Sequence, residues 1–189
     1  ERSRNKNKNK NKIKNMAKYK IDPLHSDIAF KVKHMMISTV NGCFQKFDAT
    51  MESETEDFTD AKITFECDVD SVYTNIADRD AHLKSPDFFA ADEFPKITYE
   101  STSIEKDGDD YIVNGELTIR GISRPISLEG SYNGNDVDLY GQTKHGFELT
   151  GKVNRADYGL TFNALSGKGN ALVGDEIKLL ISIQMLEEK

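Results

Sequence analysis

The chain has 189 residues, 37% of them hydrophobic and 30% charged, a length and balance that suit one ordinary folded domain. No stretch approaches the roughly 18 consecutive apolar residues of a membrane-spanning helix, and the two cysteines, Cys43 and Cys67, are too few for a disulfide scaffold. The net charge of −7 divides into +6 on residues 1–15 and −13 on the remaining 174, and an acidic domain of that kind repels nucleic-acid phosphates.

The first segment, residues 1–15, alternates Lys and Asn and has almost nothing to bury. It is expected to be a disordered extension ahead of a domain spanning 16–189, with the true start at Met16. It has neither the apolar stretch of a secretory signal nor the amphipathic leucines of a transit peptide. The expectation is therefore a cytoplasmic protein with reduced thiols and no stable membrane insertion.

From residue 20 the dominant period is two, the signature of β-strands. Residues 26–34, 42–51, 61–69, 96–104, 111–119, 124–132, 145–154 and 177–185 alternate in this way, which implies eight to ten strands. Phe44 and Phe47 are three apart, so a regular strand cannot turn both inward; a bulge, or one ring outside, is implied. Residues 75–90 break the pattern and fit one short helix, after which Ser85-Pro86-Asp87 reads as an N-cap opening a second helical turn at Phe88-Phe89. Lys106-Asp107-Gly108-Asp109 and Tyr132-Asn133-Gly134-Asn135 are the strongest hairpin signals. Asn114-Gly115 sits inside continuing alternation and reads as a kink or bulge.

Long antiparallel strands with one apolar face are best satisfied by closure into a barrel, which leaves no exposed edges. The expected fold is all-β: an extended antiparallel barrel of about eight strands with one short helical segment near residues 75–90. Such a barrel is either filled by side chains or encloses one elongated ligand, and periodicity does not choose between them.

Catalytic signatures are absent. Ser166-Gly167-Lys168-Gly169 lacks the flanking residues of a phosphate-binding loop and reads as a mobile loop, and there is no GxSxG, HExxH or dinucleotide fingerprint. No cofactor or metal is called for. His25 and His34, nine apart, face opposite sides of one regular strand; His34 reads as a histidine at the barrel rim. The densest polar cluster is Arg79-Asp80-Ala81-His82-Leu83, with Asp78 placed to orient His82. It reads either as an acid–base site or as a helix sealing the barrel through ion pairs to strand residues. In a variant of the sealing role, its arginine would meet an anionic head group. Most phenylalanines read as core.

Ile21-Asp22-Pro23-Leu24-His25-Ser26, Arg79-Asp80-Ala81-His82-Leu83, Ser85-Pro86-Asp87-Phe88-Phe89, Gly115 to Gly121 and Arg155-Ala156-Asp157-Tyr158-Gly159 together resemble the YceI-like family of lipocalin-like barrels, over about residues 19–186. The resemblance implies an apolar tunnel holding a long polyisoprenoid, either a prenyl diphosphate or a prenylated quinone precursor. It also implies a homodimer without catalytic activity. Many members are periplasmic, a departure from the compartment expected above. Apolar-face positions nominate tunnel residues Phe30, Val32, Phe65, Leu117, Ile119, Phe147, Leu149, Ile181 and Ile183, joined by Leu83, Phe88 and Phe89 from the helical segment, with His34, Arg79 and His82 at a polar end. The alternatives are a small-substrate enzyme or stress-response protein using His34, Arg79, Asp80 and His82, and a structural module with a filled barrel.

Overall fold

The computed structural model describes residues 15–189; the basic head, apart from Asn15, lies outside them. Eleven strands form one antiparallel sheet: β1 (Ala17–Ile21), β2 (Asp27–His34), β3 (Ser38–Phe44), β4 (Phe47–Ser53), β5 (Lys62–Asp68), β6 (Val72–Tyr73), β7 (Lys96–Asp107), β8 (Asp110–Ile119), β9 (Ile122–Val137), β10 (Thr143–Asn154) and β11 (Val173–Glu188). The single α-helix among the described residues is α1 (Ala77–Lys84).

Eight strands close a ring in the order β1-β4-β5-β7-β8-β9-β10-β11, sealed by β1 against β11. The other three continue ring strands end to end, β2 after β1, β3 before β4 and β6 after β5. Three breaks at one level crease the sheet. At the first, Asp22 accepts from the Leu24 N–H and Pro23 has no N–H to offer a ladder. The other two, at 45–46 and 69–71, bond to each other through Gln45 N to Ser71 O (3.1 Å) and Asp68 N to Lys46 O (2.9 Å). Below the crease β2 pairs β11 on one side and β3 on the other, β3 pairs β6, and α1 packs against β6.

The crease corrects the reading of 42–51 as one run. It also answers the Phe44–Phe47 spacing: the strand ends at Phe44 and restarts at Phe47, which pairs with inward-facing Cys67. The hairpin at Gly108 is present, with Gly108 in the left-handed region. The one expected at Asn133-Gly134 is not. β9 runs through it to Val137, and Asn133 is the extra residue of a bulge between the pairs Gly134–Gly146 and Tyr132–Phe147. Gly134 has the positive φ of +97° that makes such a dipeptide look like a turn, and the bulge uses the same freedom. The irregularity at Asn114-Gly115 is real, but its extra residue is Thr102 of β7.

No second helical turn opens after α1. Ser85 is the C-cap, and the chain folds back so that Phe89 N meets Leu83 O (2.9 Å) and Ala91 N meets Lys84 O (2.9 Å). The proline-containing turn thereby supplies the donors that the helix's last carbonyls lack. No helix among the described residues is long and apolar enough to cross a membrane.

Candidate functional site: the hollow barrel

Inward alternation along the ring strands, with partners in register, builds an apolar wall. Along β11, Ile177, Leu179, Ile181 and Ile183 all face inward; Ile181 is paired with Leu149 and Leu179 with Phe30. These walls do not meet. The barrel encloses an apolar cavity of about 210 Å³ and a smaller one of about 60 Å³ towards its other end. Ala49, Ile63, Val113, Leu149 and Ile183 line both spaces, so the two lie in sequence along the barrel.

Of the nominated tunnel residues, Phe30 and Val32 on β2, Phe65 on β5, Leu117 and Ile119 on β8, Leu149 on β10, and Ile181 and Ile183 on β11 line the larger space. Leu83 of α1 and the following Phe88 and Phe89 line it where the wall is not made of strands, and Phe147 lines the smaller space. Phe44 bridges wall and helical segment, with ring centroids 5.7 Å from Phe30 and 5.9 Å from Phe89.

The nominated polar residues lie elsewhere, and none of the three lines either space. His34 is exposed at the end of β2, opposite Ser38 and Val173. Arg79 donates from Nε to Thr74 Oγ1 (2.7 Å) and from Nη2 to Thr74 O (2.6 Å), while Asp80 accepts from the Thr74 N–H (2.8 Å) and hydroxyl. The pair fastens α1 to the residue after β6. His82 meets Asp87 (2.9 Å), not Asp78, and its ring packs edge-on against Phe88 and Phe162. Among the described residues no group of three His, Cys, Asp or Glu side chains could hold a metal ion.

Four wall residues carry polar atoms that the sequence did not single out for the tunnel. The Arg155 guanidinium, 5% exposed, donates Nε to Gly174 O (2.9 Å) and Nη1 to Leu160 O (2.7 Å) and Phe162 O (2.8 Å). Its Nη2 reaches Val173 O and Asp175 at 3.4 Å each. Four hydrogen bonds to backbone carbonyls and the Asp175 ion pair thus tie the guanidinium to the segment 160–175. Burial lowers its pKa, an effect that Asp175 opposes. Tyr99 donates to Val113 O (3.3 Å), and burial pushes its phenol up to about 12. Burial likewise pushes the Cys67 thiol up to about 12. Tyr158, 1% exposed, has no hydrogen-bond partner for its hydroxyl among the described residues.

The far end is closed by a side chain that sequence reading passed over. Phe58, in the β4–β5 loop, adopts φ +60° and is buried among Tyr19, Tyr132, His145 and Phe147, with centroids 5.3–5.8 Å away. Asp60 holds this loop by accepting from Ser53 Oγ (2.6 Å), Thr55 Oγ1 (2.6 Å) and the Glu54 N–H (2.8 Å).

Compared with known proteins, the chain matches the YceI-like domain over residues 19–185. The chain belongs to the YceI-like family. Among its YceI-like relatives, UPF0312 protein SA2479 of Staphylococcus aureus is 37% identical over 172 residues, covering 89% of this chain and 97% of that protein. The crystal structure of the Campylobacter jejuni YCEI protein superposes with a TM-score of 0.70 at 31% identity, covering 83% of this chain and 90% of that one. A polyisoprenoid binding domain from Saccharophagus degradans, implicated in plant cell wall breakdown, superposes with a TM-score of 0.65, covering 90% and 98%. At 13% identity, its likeness to this YceI-like chain is one of fold.

Proposed function

We propose that this YceI-like protein binds a long-chain polyisoprenoid lipid inside the barrel, for storage or transport, without catalysing a reaction on it. The observation that carries the reading is the unfilled, apolar interior. A void of this size deprives its lining side chains of van der Waals partners, which a flexible hydrocarbon restores. Each buried methylene contributes about 0.8 kcal/mol, so a branched chain of tens of carbons binds tightly even after ordering costs. The likeness to a polyisoprenoid binding domain supports the same class of ligand.

The test is native mass spectrometry of the protein as purified, with organic extraction alongside. A polyprenyl species at one per chain is expected. An empty protein that also takes up nothing from prenyl lipid mixtures would overturn the reading.

A further inference from the structure

The barrel end opposite Phe58 carries two loops side by side. Along β11, Val173 pairs with His34 at this end, and Met185 pairs with His145, beside Phe58, at the other. One loop is the β2–β3 turn, His34-Met35-Met36-Ile37; the other is the segment 159–172 ahead of β11. Met35 N donates to Leu172 O (2.8 Å), Leu172 N donates to Ala164 O (2.9 Å), and Leu165 pairs with Ala171, so the two form one surface. Both continue walls of the larger cavity, which Val32, Leu160 and Val173 line.

Three apolar side chains stand out of this surface: Met36 is 66% exposed, Ile37 79% and Leu165 72%. The turn that presents the first two is built at a cost. Ile37 N donates to His34 O (3.1 Å), and Met35 and Met36 both take positive φ, +52° and +62°. That is the type I′ pattern, which Asn-Gly fills without strain and two methionines do not. Backbone preference and solubility both argue against Met-Met at an exposed tip, so the pair reads as kept for a contact outside the chain.

Charge sets the same end apart. Within residues 16–189, which carry −13 in all, 28–47 and 158–174 are the two longest stretches without Asp or Glu. They hold Lys31, Lys33, Lys46 and Lys168, of which Lys33 and Lys168 are exposed beside the apolar tips. The first acids beyond them, Asp175 and Glu176, face Arg155 at 3.4 Å and Lys152 at 3.8 Å, and Asp87 on the α1 side is bonded to His82. The opposite end also exposes apolar side chains, Leu139 and Tyr140 in the β9–β10 turn, but sets Asp136 and Asp138 among them.

We infer that the β2–β3 turn and the 164–171 loop dock the barrel peripherally on an anionic bilayer, with Met36, Ile37 and Leu165 entering the interface and Lys33 and Lys168 meeting lipid phosphates. Apolar burial and attraction to anionic headgroups together hold a peripheral protein at a membrane surface, and this end, unlike the Leu139 end, combines them. The inference goes beyond the proposed function and does not depend on which molecule occupies the barrel.

The chain contains no tryptophan, so Ile37→Trp and Leu139→Trp each install a single reporter at one end. Full-length protein is mixed with vesicles of equal parts phosphatidylglycerol and phosphatidylcholine, free of prenyl lipid. Emission from Ile37→Trp should shift to the blue and be quenched by brominated acyl chains, while that of Leu139→Trp stays unchanged. Co-sedimentation then compares variants that all keep the basic residues 1–15. Met35→Asn with Met36→Gly supplies the favoured turn pair, so stability should hold or rise while vesicle binding weakens about 10-fold. Lys33→Glu with Lys168→Glu should also weaken it about 10-fold, and added salt should narrow that difference.

Emission from Ile37→Trp that ignores the vesicles, or shifts no more than that of Leu139→Trp, would overturn the inference. So would a turn variant that converts a dimer to a monomer without changing vesicle binding, which would make the surface an interface between copies. Because the vesicles contain no polyisoprenoid, none of these results bears on the proposed function, whose failure would show as an empty barrel.

Discussion

Arg155 looks at first like a cation for a lipid head group, yet its bonds assign it a different task. Arg155→Met keeps the aliphatic stem and deletes the guanidinium that ties Leu160, Phe162, Val173 and Gly174 together. Three of those bonds lie at 2.7–2.9 Å, and hydrogen bonds from a charged donor contribute about 1.5–3 kcal/mol each. Asp175 adds little, because its side chain is 67% exposed. The abandoned carbonyls regain water if loop 159–172 lifts from the barrel, which caps the loss below the simple sum, at about 3–5 kcal/mol. Against a domain stability of about 5–15 kcal/mol that is a large fraction, equivalent to a fall in Tm of about 10 °C. Urea unfolding followed by circular dichroism measures the loss, and hydrogen exchange should show protection disappearing first in 159–175. A loss below about 1 kcal/mol with the loop still protected would refute the clasp. So would normal stability combined with abolished lipid binding, which would make Arg155 a ligand group.

Three other outcomes follow from side chains already described. Burial raises the Asp22 carboxyl, but the Lys144 ammonium at 2.7 Å and the His25 bond outweigh it and hold the group at about 2, against an ordinary 3.8. Its folded pKa is thus depressed, so its contribution of about 2 kcal/mol is present above pH about 4 and lost as pH falls to about 2. Asp22→Asn should flatten the stability–pH curve in that window, and an unchanged slope would contradict the assignment. Gly42 lies opposite Phe30 with no room for a Cβ beneath the ring, so Gly42→Ala should cost about 1–3 kcal/mol in urea unfolding and reduce lipid uptake. Cys67, 1% exposed with its thiol pushed up to about 12, should resist iodoacetamide at pH 8 in the native protein and react once it is unfolded. Rapid native alkylation at that position would refute it.

Period-two alternation was enough to place the long strands and to tell which of their side chains turn inward, because inward direction in a barrel is a local property of the strand. Phe30, Leu117 and Ile181 needed nothing but their own neighbours. Long-range partners were beyond such reasoning. The Asn133-Gly134 dipeptide announces a positive φ without saying whether a turn or a bulge will use it. Asp87 rather than Asp78 meets His82 because the chain doubles back after Ser85, a path no helical spacing encodes. Phe58 is a single ring in a polar, acidic loop, with no periodicity to mark it as the closure of the far end. Arg155 and Tyr158 stood inside a motif that carried the family resemblance, but only their surroundings separate a guanidinium held by four carbonyls from a phenol with no hydrogen-bond partner among the described residues.

The seam of the barrel sets an order of events. β11 pairs with β10 along one edge and with β2 and then β1 along the other, so that Ile21 lies opposite Met185 with most of the chain between them. Ladders of such long sequence separation form slowly, since the entropy of closing the intervening chain precedes any reward. On the ribosome, β1 through β10 emerge as an open sheet whose apolar face has nothing to cover it. The cavity comes into existence only when the last strand arrives. A mutation that weakens β11 should therefore appear first as aggregation during synthesis, before any loss of lipid affinity in the finished protein.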